Sequence, residues 1–553
     1  MTDPRVSAVH AYHDGTKHHF HRFARSLGYL DWASQPNPFR SFTGAPLIPL
    51  PPRPDAFTES SSAEAGLREP QAALSLSKGA IGPSRGSGRP QSAILRYALG
   101  LSAWKRLGES HWALRVNPSS GNLHPTEAYV VAGPASGFGE TAGVYHYAPD
   151  RHVLERRCAF DQGVWSAAGM QTDGWLIALT SIHWREAWKY GERAFRYCQH
   201  DMGHAIAAIR IAAALAGCCA TLLPDWPQAE IASLIGIDRD DDFFEAEREE
   251  PGCLLLLTNR PAFPTLDDQP PDASVLVGAT RSGTWTGRAS QLSEDHITWS
   301  FIDQIAAATR DPGRPRHPAH PAPPAHPAPR VPVYPAPLIL QRRSAVALDG
   351  TSSTDAATFL SLLSRVMPQP APPWDALWWP VRVHLALFVH RVNQIDPGIY
   401  LLARDSSALG RLRASCRAEL LWERVSEALP LFLLARGDCR SIAARLSCNQ
   451  DIAADGFFSL GMLAEFDASL NEFGPSFYRH LFWEAGFVGQ VLYLEAEAAG
   501  ARATGIGCYF DDPVHQVLGI TDHTFQSLYH FTVGIPVEDT RISTDPGYAW
   551  ESR

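Results

Sequence analysis

Hydrophobic and polar positions along the chain predict both strands and helices. The runs EAYVVAG at 127–133 and VHLALFVHRV at 383–392 are short, apolar and rich in β-branched residues, which is typical of buried strands. Two longer apolar runs, at 192–217 and 480–500, each end in glycine and predict long buried helices. Each half of the chain predicts the order helix, strand, short turn, strand, long helix, loop, helix, strand.

The two halves also resemble each other in sequence. HPTEAYVV at 124 compares with WPVRVHLA at 379, and AGVYHY at 142 with PGIYLL at 397, a step of 255 positions that relates Pro125 to Pro380 and Tyr145 to Tyr400. RYCQHDMGHA at 196 compares with RHLFWEAGFV at 479, a step of 283 positions. The second step keeps acids, glycines and a threonine aligned: Asp201 with Glu484, Gly203 with Gly486, Gly217 with Gly500, Thr221 with Thr504 and Gly236 with Gly519. This predicts a duplicated α+β fold, in which the extra residues of the second half lie between the two blocks.

Two stretches of biased composition suggest how the chain is divided. Residues 311–338 are dense in proline, which prevents a helix and favours extended, semi-rigid geometry, so they are the predicted linker. Residues 58–92 are rich in serine, glycine and alanine and are predicted to be a loop or a poorly ordered insertion. The predicted domains are therefore 1–310 and 339–553.

Composition and charge exclude several classes of function. The 553 residues are 45% hydrophobic and carry a net charge of −10, which suits large cores and argues against a nucleic-acid-binding groove. The N-terminus lacks the apolar segment of a signal peptide, and the most apolar helical run, 205–223, contains Arg210, so no membrane span is expected. Nine cysteines without a CxxC motif predict a reduced, cytoplasmic protein.

The stretch RVNPSSGNLHPTEAYVV at 115–131 places proline, two serines, glycine and asparagine just before a predicted strand. Ser119, Ser120 and Asn122 beside Gly121 predict a tight turn that presents backbone N–H groups and short polar side chains at one point. Such a turn can bind the polar edge of a flat heterocycle, or it can be a tight turn and nothing more. Spacing alone leaves both interpretations open.

Histidines provide two candidate metal sites. His200 and His204 lie four residues apart on a predicted helix, which suits a metal, but the glutamate of an HExxH motif is absent. The prediction is therefore a pair of helix histidines without a metal. The run HAYHDGTKHHFHRF at 10–23 is metal-like in composition only. The sequence contains no P-loop, no GxGxxG after a strand and no GxSxG.

Taken together, these stretches resemble the nitroreductase superfamily in its SagB-type, azoline dehydrogenase branch. NPSSGNLHPTEAYVV is similar to its signature, and residues 30–51, 189–205, 342–350, 481–512 and 531–541 add to the resemblance, which covers most of both halves. It implies two nitroreductase-like layered domains, each a central sheet flanked by helices, fused as an intrachain pseudo-dimer that can function as a monomer. It also implies FMN between the domains, and it makes the 10–23 run part of the interface or scaffold.

The parts of the implied flavin site are divided between the halves. An Arg-Arg-Ser phosphate clamp and a glycine-containing turn occur only in the second half, and a Pro-Ser-Ser-x-Asn turn occurs only in the first. These residues are Arg342, Arg343, Ser344, Gly505, Ile506 and Gly507 in the second half, and Pro118, Ser119, Ser120 and Asn122 in the first. At the 255 and 283 steps their counterparts read WDAL at 374–377 and TLLP at 221–224. Because the surviving parts are complementary, one complete FMN site and one degenerate site are predicted per chain.

The chemistry of FMN suggests a role for each part. Two adjacent guanidinium groups suit its dianionic phosphate, and Arg541 is a predicted third cation. The clamp of the family usually ends in a further arginine, where this sequence has Val346. The two glycines let backbone approach the flavin ring, and Asn449 or Gln450 can donate a hydrogen bond near N1 and O2 of the ring. A loop asparagine that caps a helix is the alternative for that segment.

Lys189 and Tyr190 match a Lys-Tyr pair that the resemblance associates with proton transfer on the substrate. A lysine can act as a general base if burial lowers its pKa. The alternative is a surface lysine beside a packed tyrosine.

Two classes of function remain. The first is an FMN-dependent oxidoreductase that transfers a hydride. Either a small-molecule or peptide substrate reduces the flavin and oxygen re-oxidises it, or NAD(P)H is the co-substrate. The second is a non-catalytic scaffold or partner protein with a vestigial flavin site. Neither nucleic acid nor a membrane is expected as a partner.

Overall fold

The structure, a computed structural model, describes residues 3–52, 89–134, 138, 141–171, 173–258, 271–315 and 334–552. Of the insertion predicted at 58–92, only residues 89–92 fall within this part, and they begin a helix. Of the linker predicted at 311–338, residues 316–333 lie outside it. Residues 336–338 begin a short helix, contrary to the expectation for this stretch, because proline is tolerated in the first helical turn, where the amide has no partner.

Two helices of 22 residues stand out among the shorter helices of the described residues. The helices are α1 (Pro4–Gly15), α2 (Arg89–Ala98), α3 (Gly163–Ala167), α4 (His183–Tyr190), α5 (Ala194–Leu215), α6 (Gln228–Ile235), α7 (Ala273–Ser282), α8 (Ser300–Ala308), α9 (Ala336–Gln341), α10 (Ala356–Arg365), α11 (Leu409–Ser415), α12 (Arg440–Leu446), α13 (Ile452–Asp455), α14 (Phe466–Phe473), α15 (Phe477–Ala498) and α16 (Asp511–Leu518). The two long ones, α5 and α15, were both predicted from sequence, with ends that differ by two or three residues.

The strands of the described residues are β1 (Phe42–Thr43), β2 (Leu47–Pro49), β3 (Leu101–Leu107), β4 (Ser110–Arg115), β5 (Thr126–Ala132), β6 (Ala142–Ala148), β7 (Val153–Phe160), β8 (Trp175–Ser181), β9 (Cys219–Leu222), β10 (Glu250–Thr258), β11 (Thr284–Trp285), β12 (Arg288–Ala289), β13 (Thr354–Asp355), β14 (Val383–Val389), β15 (Val392–Asn393), β16 (Gly398–Leu402), β17 (Glu423–Arg424), β18 (Leu431–Arg436), β19 (Phe458–Glu465), β20 (Arg502–Ile506), β21 (Phe525–Gly534) and β22 (Ser543–Pro546). Six central strands, β5, β6, β8, β14, β19 and β21, are buried along their whole length, whereas the short and edge strands are partly exposed.

Each half contains a mixed-order antiparallel sheet of the same topology. The first sheet has the order β11-β7-β6-β5-β8-β10-β9, with β2 also paired to β7, and the second has the order β17-β18-β16-β14-β19-β21-β20. The six strands β7-β6-β5-β8-β10-β9 of the first sheet match, in that spatial order, the six strands β18-β16-β14-β19-β21-β20 of the second. The fold class is therefore an α+β layered domain present twice, as predicted.

The strand pairing corrects the register of the repeat. Val130 on β5 lies opposite Tyr145, and Leu387 on β14 lies opposite Tyr400. The two tyrosines keep the step of 255 positions, but Val130 and Leu387 are 257 positions apart, so β5 and β14 are related by 257. Ile177, opposite Val130, and Leu460, opposite Leu387, are related by 283 positions. The 283 step therefore already applies at β8, and the extra residues of the second half lie between β16 and β19, where the sequence places them.

The long helices α5 and α15 pack against each other between the two sheets. A Cβ atom added to Gly203 would overlap the carbonyl oxygen of Trp483, and one added to Gly486 would overlap that of His200. Since Gly203 and Gly486, like His200 and Trp483, are 283 positions apart, the two contacts are related by a pseudo-two-fold axis. No helix among the described residues has the length and apolar character needed to cross a bilayer.

The ends of the chain connect the halves further. Strand β22, near the C-terminus, pairs antiparallel with β3 of the first half, and Ser543 lies opposite Arg106. Helix α1, at the N-terminus, contacts the second half, where His13 hydrogen-bonds Gln526 at 3.1 Å and Tyr478 at 3.3 Å. Each half is thus completed by a segment of the other.

Candidate functional site

The serine-rich stretch forms a single 3-10 turn between β4 and β5. Gly121 and Asn122 both have φ of 60°, in the left-handed region that glycine adopts freely and asparagine more readily than most residues. Ser119 Oγ accepts a hydrogen bond from the N–H of His124 at 2.9 Å, and Asn122 Nδ2 donates to the carbonyl of Ala113 at 2.9 Å. The side chains of Ser119 and Asn122 therefore hold the turn together, and Gly121 is left exposed.

Ser120 is held from beneath by a buried carboxyl group on α5. Its N–H and its hydroxyl donate to Asp201 at 3.1 and 3.3 Å. Burial raises the pKa of Asp201 to about 8, and burial together with the nearby Asp201 raises the pKa of Glu186 well above its usual range. If both acids were ionised, neither carboxylate oxygen of Glu186 would have a hydrogen-bond donor among the described residues. A proton held between Glu186 and Asp201 provides that hydrogen bond. The turn therefore lies on a buried carboxyl pair that retains a proton at neutral pH.

The corresponding acid of the second half has a different environment. Glu484, the counterpart of Asp201, accepts a hydrogen bond from Arg404 Nη1 at 2.6 Å and one from the indole N–H of Trp379 at 3.2 Å. An arginine thus neutralises the acid in one half, whereas a second acid shares its proton in the other. The proton-holding pair is specific to the side that carries the serine turn.

The predicted Lys-Tyr pair lies directly against this turn. Lys189 and Tyr190 end α4, and a Cβ atom added to Gly121 would lie 2.6 Å from Tyr190 Oη and 3.3 Å from Lys189 Nζ. The Tyr190 ring packs edge-on to Tyr197 with centroids 4.6 Å apart, and burial raises the Tyr190 pKa well above its usual value. Lys189 is exposed at the end of α4.

The predicted clamp lies at the boundary between the halves. Arg342 is 3% exposed, donates from Nη2 to the carbonyl of Arg115 at 3.2 Å and lies 4.9 Å from the centroid of the Tyr493 ring. Within the part of the chain that the structure describes, its Nε and Nη1 are buried without a hydrogen-bond partner. Arg343 donates to the carbonyl of Ser102 at 3.3 Å, and burial and the neighbouring Arg342 lower its pKa to about 10. Two adjacent cations bonded to neutral carbonyls, with two nitrogens of Arg342 to spare among the described residues, suit an anionic ligand.

Tyr493 joins the clamp to the glycine-containing segment. Its hydroxyl is 2.9 Å from Ser344 Oγ and accepts a hydrogen bond from the N–H of Gly505 at 3.0 Å. Residues 504–506 belong to strand β20 and do not form the turn that the sequence predicts. Ser344 is exposed, so the serine of the clamp is accessible to a ligand.

Gly505 on β20 and Gly507 just after it contact tyrosines. A Cβ atom at Gly505 would overlap the hydroxyl of Tyr529, and one at Gly507 would lie 2.5 Å from Cε1 of Tyr197. Tyr197 also donates to the Gly507 carbonyl at 3.1 Å. The space that a Cβ atom would take at these glycines is thus filled by tyrosine rings, and a flavin ring would have to approach this strand from another side. This changes the expected role of both glycines.

The arginine clamp and the serine turn both hydrogen-bond strand β4. Arg342 hydrogen-bonds the carbonyl of Arg115 and Asn122 that of Ala113, two residues apart on β4. The two carbonyls are therefore about 7 Å apart. The guanidinium pair of the second half and the serine turn of the first are thus both anchored to strand β4.

Several predicted residues contribute less or lie elsewhere. The exposed Arg541 is paired with Asp539 at 2.7 Å, which raises its pKa. Gln450 Nε2 donates to the carbonyls of Ser447 and Cys508 at 2.8 and 3.1 Å, so it braces the chain after Gly507. Asn449, with φ of 57°, is exposed in the turn after α12, and Asp451 precedes α13 in the capping position. Pro118 and Ile506 are buried, and Val346 is 90% exposed.

The pseudo-equivalent position in the other half is filled. Arg210, the counterpart of Tyr493, forms an ion pair with Asp375 at 2.6 Å. Trp374 lies next to Asp375 in the same short helical turn and packs on Phe487 with ring centroids 5.1 Å apart. This position of the second half is therefore occupied by an ion pair and an indole.

The histidines of α5 serve the same region. His204 Nε2 is 3.2 Å from the Tyr529 hydroxyl, and the His200 ring stacks on Tyr529 with centroids 4.1 Å apart. Burial lowers the pKa of both histidines, that of His204 to about 3. Among the described residues, no group of three or more potential metal ligands comes together.

Sequence reasoning missed the tyrosines, the buried acid pair and His204 as parts of the site. One signal was present: Tyr197, Asp201 and His204 recur at positions i, i+4 and i+7 of a helix that is otherwise mostly apolar. That spacing places them on one face, which is the face toward the site. Tyr493 and Tyr529 carry no comparable signal, because they come from a helix and a strand far apart in sequence.

Comparison with known proteins supports the fold. No family model and no curated protein matches the sequence. A crystal structure from Anabaena variabilis ATCC 29413 named as a nitroreductase aligns over 96% of this chain and 99% of its own, with 20% identity and a TM-score of 0.63. The Escherichia coli microcin synthetase McbBCD complex and a Ralstonia eutropha JMP134 nitroreductase each align over 36% of this chain and over 70% and 82% of their own, with 18% and 15% identity and TM-scores of 0.28 and 0.26. The alignment with the Anabaena structure takes in both halves, so the chain as a whole has a nitroreductase fold.

Proposed function

We propose that the chain is an FMN-dependent oxidoreductase of the SagB or nitroreductase type, with one flavin held between its two halves. The observation that carries this is Arg342, which is buried at the boundary beside the exposed Ser344 and has two nitrogens unpaired among the described residues. It bonds β4 two residues from the carbonyl that the serine turn bonds. When bound, FMN supplies two-electron transfer as hydride. The nitroreductase fold that this chain shares with the Anabaena structure is consistent with this proposal.

The residues of the second half would hold the phosphate. Arg342 and Arg343 can each offer charged hydrogen bonds, worth roughly 1.5–3 kcal/mol apiece, and Ser344 can add its hydroxyl. Arg541 is left out of the proposed set because its guanidinium is occupied by Asp539. Val346 is solvent-exposed, and its apolar side chain offers neither a charge nor a hydrogen bond to an anion.

The residues of the first half would manage protons and position the substrate. Asp201 and Glu186 store a proton beneath the Ser120 amide, where it is shielded from water. Tyr190 stays protonated and can donate a hydrogen bond across the Gly121 face. The exposed Lys189 can orient a polar substrate at the opening. The candidate electron donors are a small-molecule or peptide substrate and NAD(P)H.

A test of this proposal is flavin content per polypeptide after acid release, in wild type, R342A, R342K and the control R541A. We expect about one flavin in wild type and in R541A, and a loss of affinity on the order of tenfold or more in R342A with partial recovery in R342K. Circular dichroism reports whether each variant is folded. A ratio near two would contradict the single site, and equal affinity of R342A and R541A would contradict the clamp.

The same preparation distinguishes the electron donors. Anaerobic addition of NADH or NADPH in parallel bleaches the flavin if a nicotinamide is the donor. A flavin that bleaches with neither cofactor, but does so with dithionite, indicates a substrate-driven dehydrogenase.

A non-catalytic scaffold is the second candidate. It is favoured by the Tyr529 hydroxyl, which takes the space beside Gly505 where a ring would be expected. Colourless protein that cannot be reconstituted with FMN would support it.

A further inference from the structure

Cys448 and Cys508 form a close pair at the edge of the candidate flavin site. Their Sγ atoms are 2.9 Å apart, although the residues come from the turn after α12 and from the segment after β20. The other seven cysteines are buried, whereas these two are partly exposed. Two sulfur atoms this close, on separate segments and open to solvent, are placed to form and break a disulfide.

The surroundings of the pair stabilise one thiolate. The N–H of Ala24 donates to His18 Nδ1 at 2.9 Å, which leaves the other ring nitrogen of His18 to carry a proton toward Cys508. Hydrogen bonding from Cys448, and then His18 and Arg193, lowers the pKa of Cys508 to about 5, and the same hydrogen bond raises the pKa of Cys448. The nearby Asp511 is paired with Arg193 at 2.9 Å. The shared hydrogen bond, His18 and Arg193 thus favour the thiolate at Cys508 over Cys448, as in reactive dithiols.

The pair adjoins the residues that define the site. Cys508 directly follows Gly507, whose carbonyl accepts a hydrogen bond from Tyr197 at 3.1 Å. Tyr197 packs on Tyr190, and Tyr190 touches Gly121 of the serine turn. Gln450, two residues after Cys448, donates to the Cys508 carbonyl at 3.1 Å and fixes the two segments to each other.

We propose that Cys448 and Cys508 are a redox-active dithiol that exchanges two electrons with the flavin, an inference that rests on the proposed function. In the oxidising direction the Cys508 thiolate bonds to the Cys448 sulfur and the Cys448 S–H bond breaks. Two electrons and that proton pass to oxidised flavin, which becomes the singly protonated reduced form. In the reverse direction reduced flavin opens the disulfide. The chain would then pass electrons between its flavin and thiol or disulfide compounds.

The experiment uses flavin as the only oxidant. Full-length protein is stripped of flavin, reduced, desalted and mixed anaerobically with excess FMN, then alkylated and mapped by mass spectrometry. We expect a peptide pair linked through Cys448 and Cys508, and bleaching of the bound flavin, in wild type and in the buried-cysteine control C416S. C448S and C508S should bind flavin with no bleaching.

Alkylation of both cysteines in wild type, with flavin bound and unbleached, would overturn the dithiol and leave the proposed function intact. Failure of every variant to bind FMN would instead count against the proposed function. Mapping of wild type needs no substitution, so a misfolded variant does not obscure the result. The same mixture unfolded in urea reports any direct, site-independent oxidation of thiols by free FMN, and an equal yield of linked peptide there would also overturn the proposal.

Discussion

At the level of single residues, tyrosine rings are matched to glycines throughout the candidate site. Three such contacts occur: Tyr190 with Gly121, Tyr197 with Gly507 and Tyr529 with Gly505. Each glycine leaves room for a ring that a Cβ atom would displace. Because the rings come from α4, α5 and β21, they fix the serine turn and the end of β20 relative to both halves. The backbone groups that would meet a ligand are thus positioned by tyrosine packing.

Tyr493 should govern flavin affinity through its hydroxyl. Y493F keeps the ring beneath Arg342 but removes the group that holds Ser344 and the Gly505 amide. Because the variant loses two neutral hydrogen bonds of roughly 0.5–1.5 kcal/mol each, we expect flavin binding to weaken about tenfold. Titration of the stripped protein with FMN measures this. The control is Y400F, whose hydroxyl bonds a backbone carbonyl within the second sheet, and a matching loss there would contradict a specific role for Tyr493.

Asp201 should make stability fall as pH rises. Its pKa of about 8 in the folded state is above its ordinary value, so between about pH 4 and pH 8 the folded protein binds more protons than the unfolded chain. The free energy of unfolding then decreases with pH, by at most about 1.4 kcal/mol per pH unit for one proton. In D201N the amide oxygen can still accept from Ser120, and this part of the slope should vanish.

Urea unfolding at several pH values between 5 and 8 measures the slope. D241N, at an exposed carboxylate of the first half, should retain the wild-type pH dependence. If D201N and wild type lose stability equally over this range, the raised pKa of Asp201 is not the cause.

At the level of elements, the crossing of α5 and α15 sets the distance between the two halves. Both helices have 22 residues, and both have a glycine where the partner's backbone comes closest. The same crossing sets where α5 presents Tyr197 to Gly507 and His204 to Tyr529 on β21 of the other half. A change of crossing distance would therefore alter the site without touching a ligand-facing residue.

Alanine at either crossing glycine should be strongly destabilising. G203A would place a methyl group against the Trp483 carbonyl, and G486A one against that of His200. Overpacking of this kind costs typically 1–3 kcal/mol, which exceeds the gain of about 1 kcal/mol from better helix propensity. Urea midpoints measure the balance. The matched control is G278A in α7, where a Cβ atom meets nothing within 4 Å, and stabilisation by G203A would contradict the crossing geometry.

At the level of the whole molecule, the features that could be predicted from sequence are those that repeat or follow a regular period. The apolar runs predicted both long helices, and glycines in step at 283 positions predicted the duplication that the strand orders show. The two-residue shift at β5 was missed because register within a sheet depends on pairing with its neighbours. The tyrosines were missed because contacts such as Tyr529 with Gly505 join residues by the packing of separate elements. Arg541 was assigned by motif, and its pairing with Asp539 two residues away is a local contact that the motif does not encode.

Because the two halves are fused, neither half should fold or bind flavin alone. The first half supplies the serine turn and its buried acids, and the second supplies the clamp, while α1 and β22 each cover the opposite half. Residues 1–315 and 334–553, co-expressed as separate chains, should therefore copurify as one complex that binds FMN. Each expressed alone should expose the α5–α15 interface, aggregate and bind no flavin. Size-exclusion chromatography with flavin absorbance measures this directly, and FMN bound tightly by 334–553 alone would show that the serine turn is not part of the site.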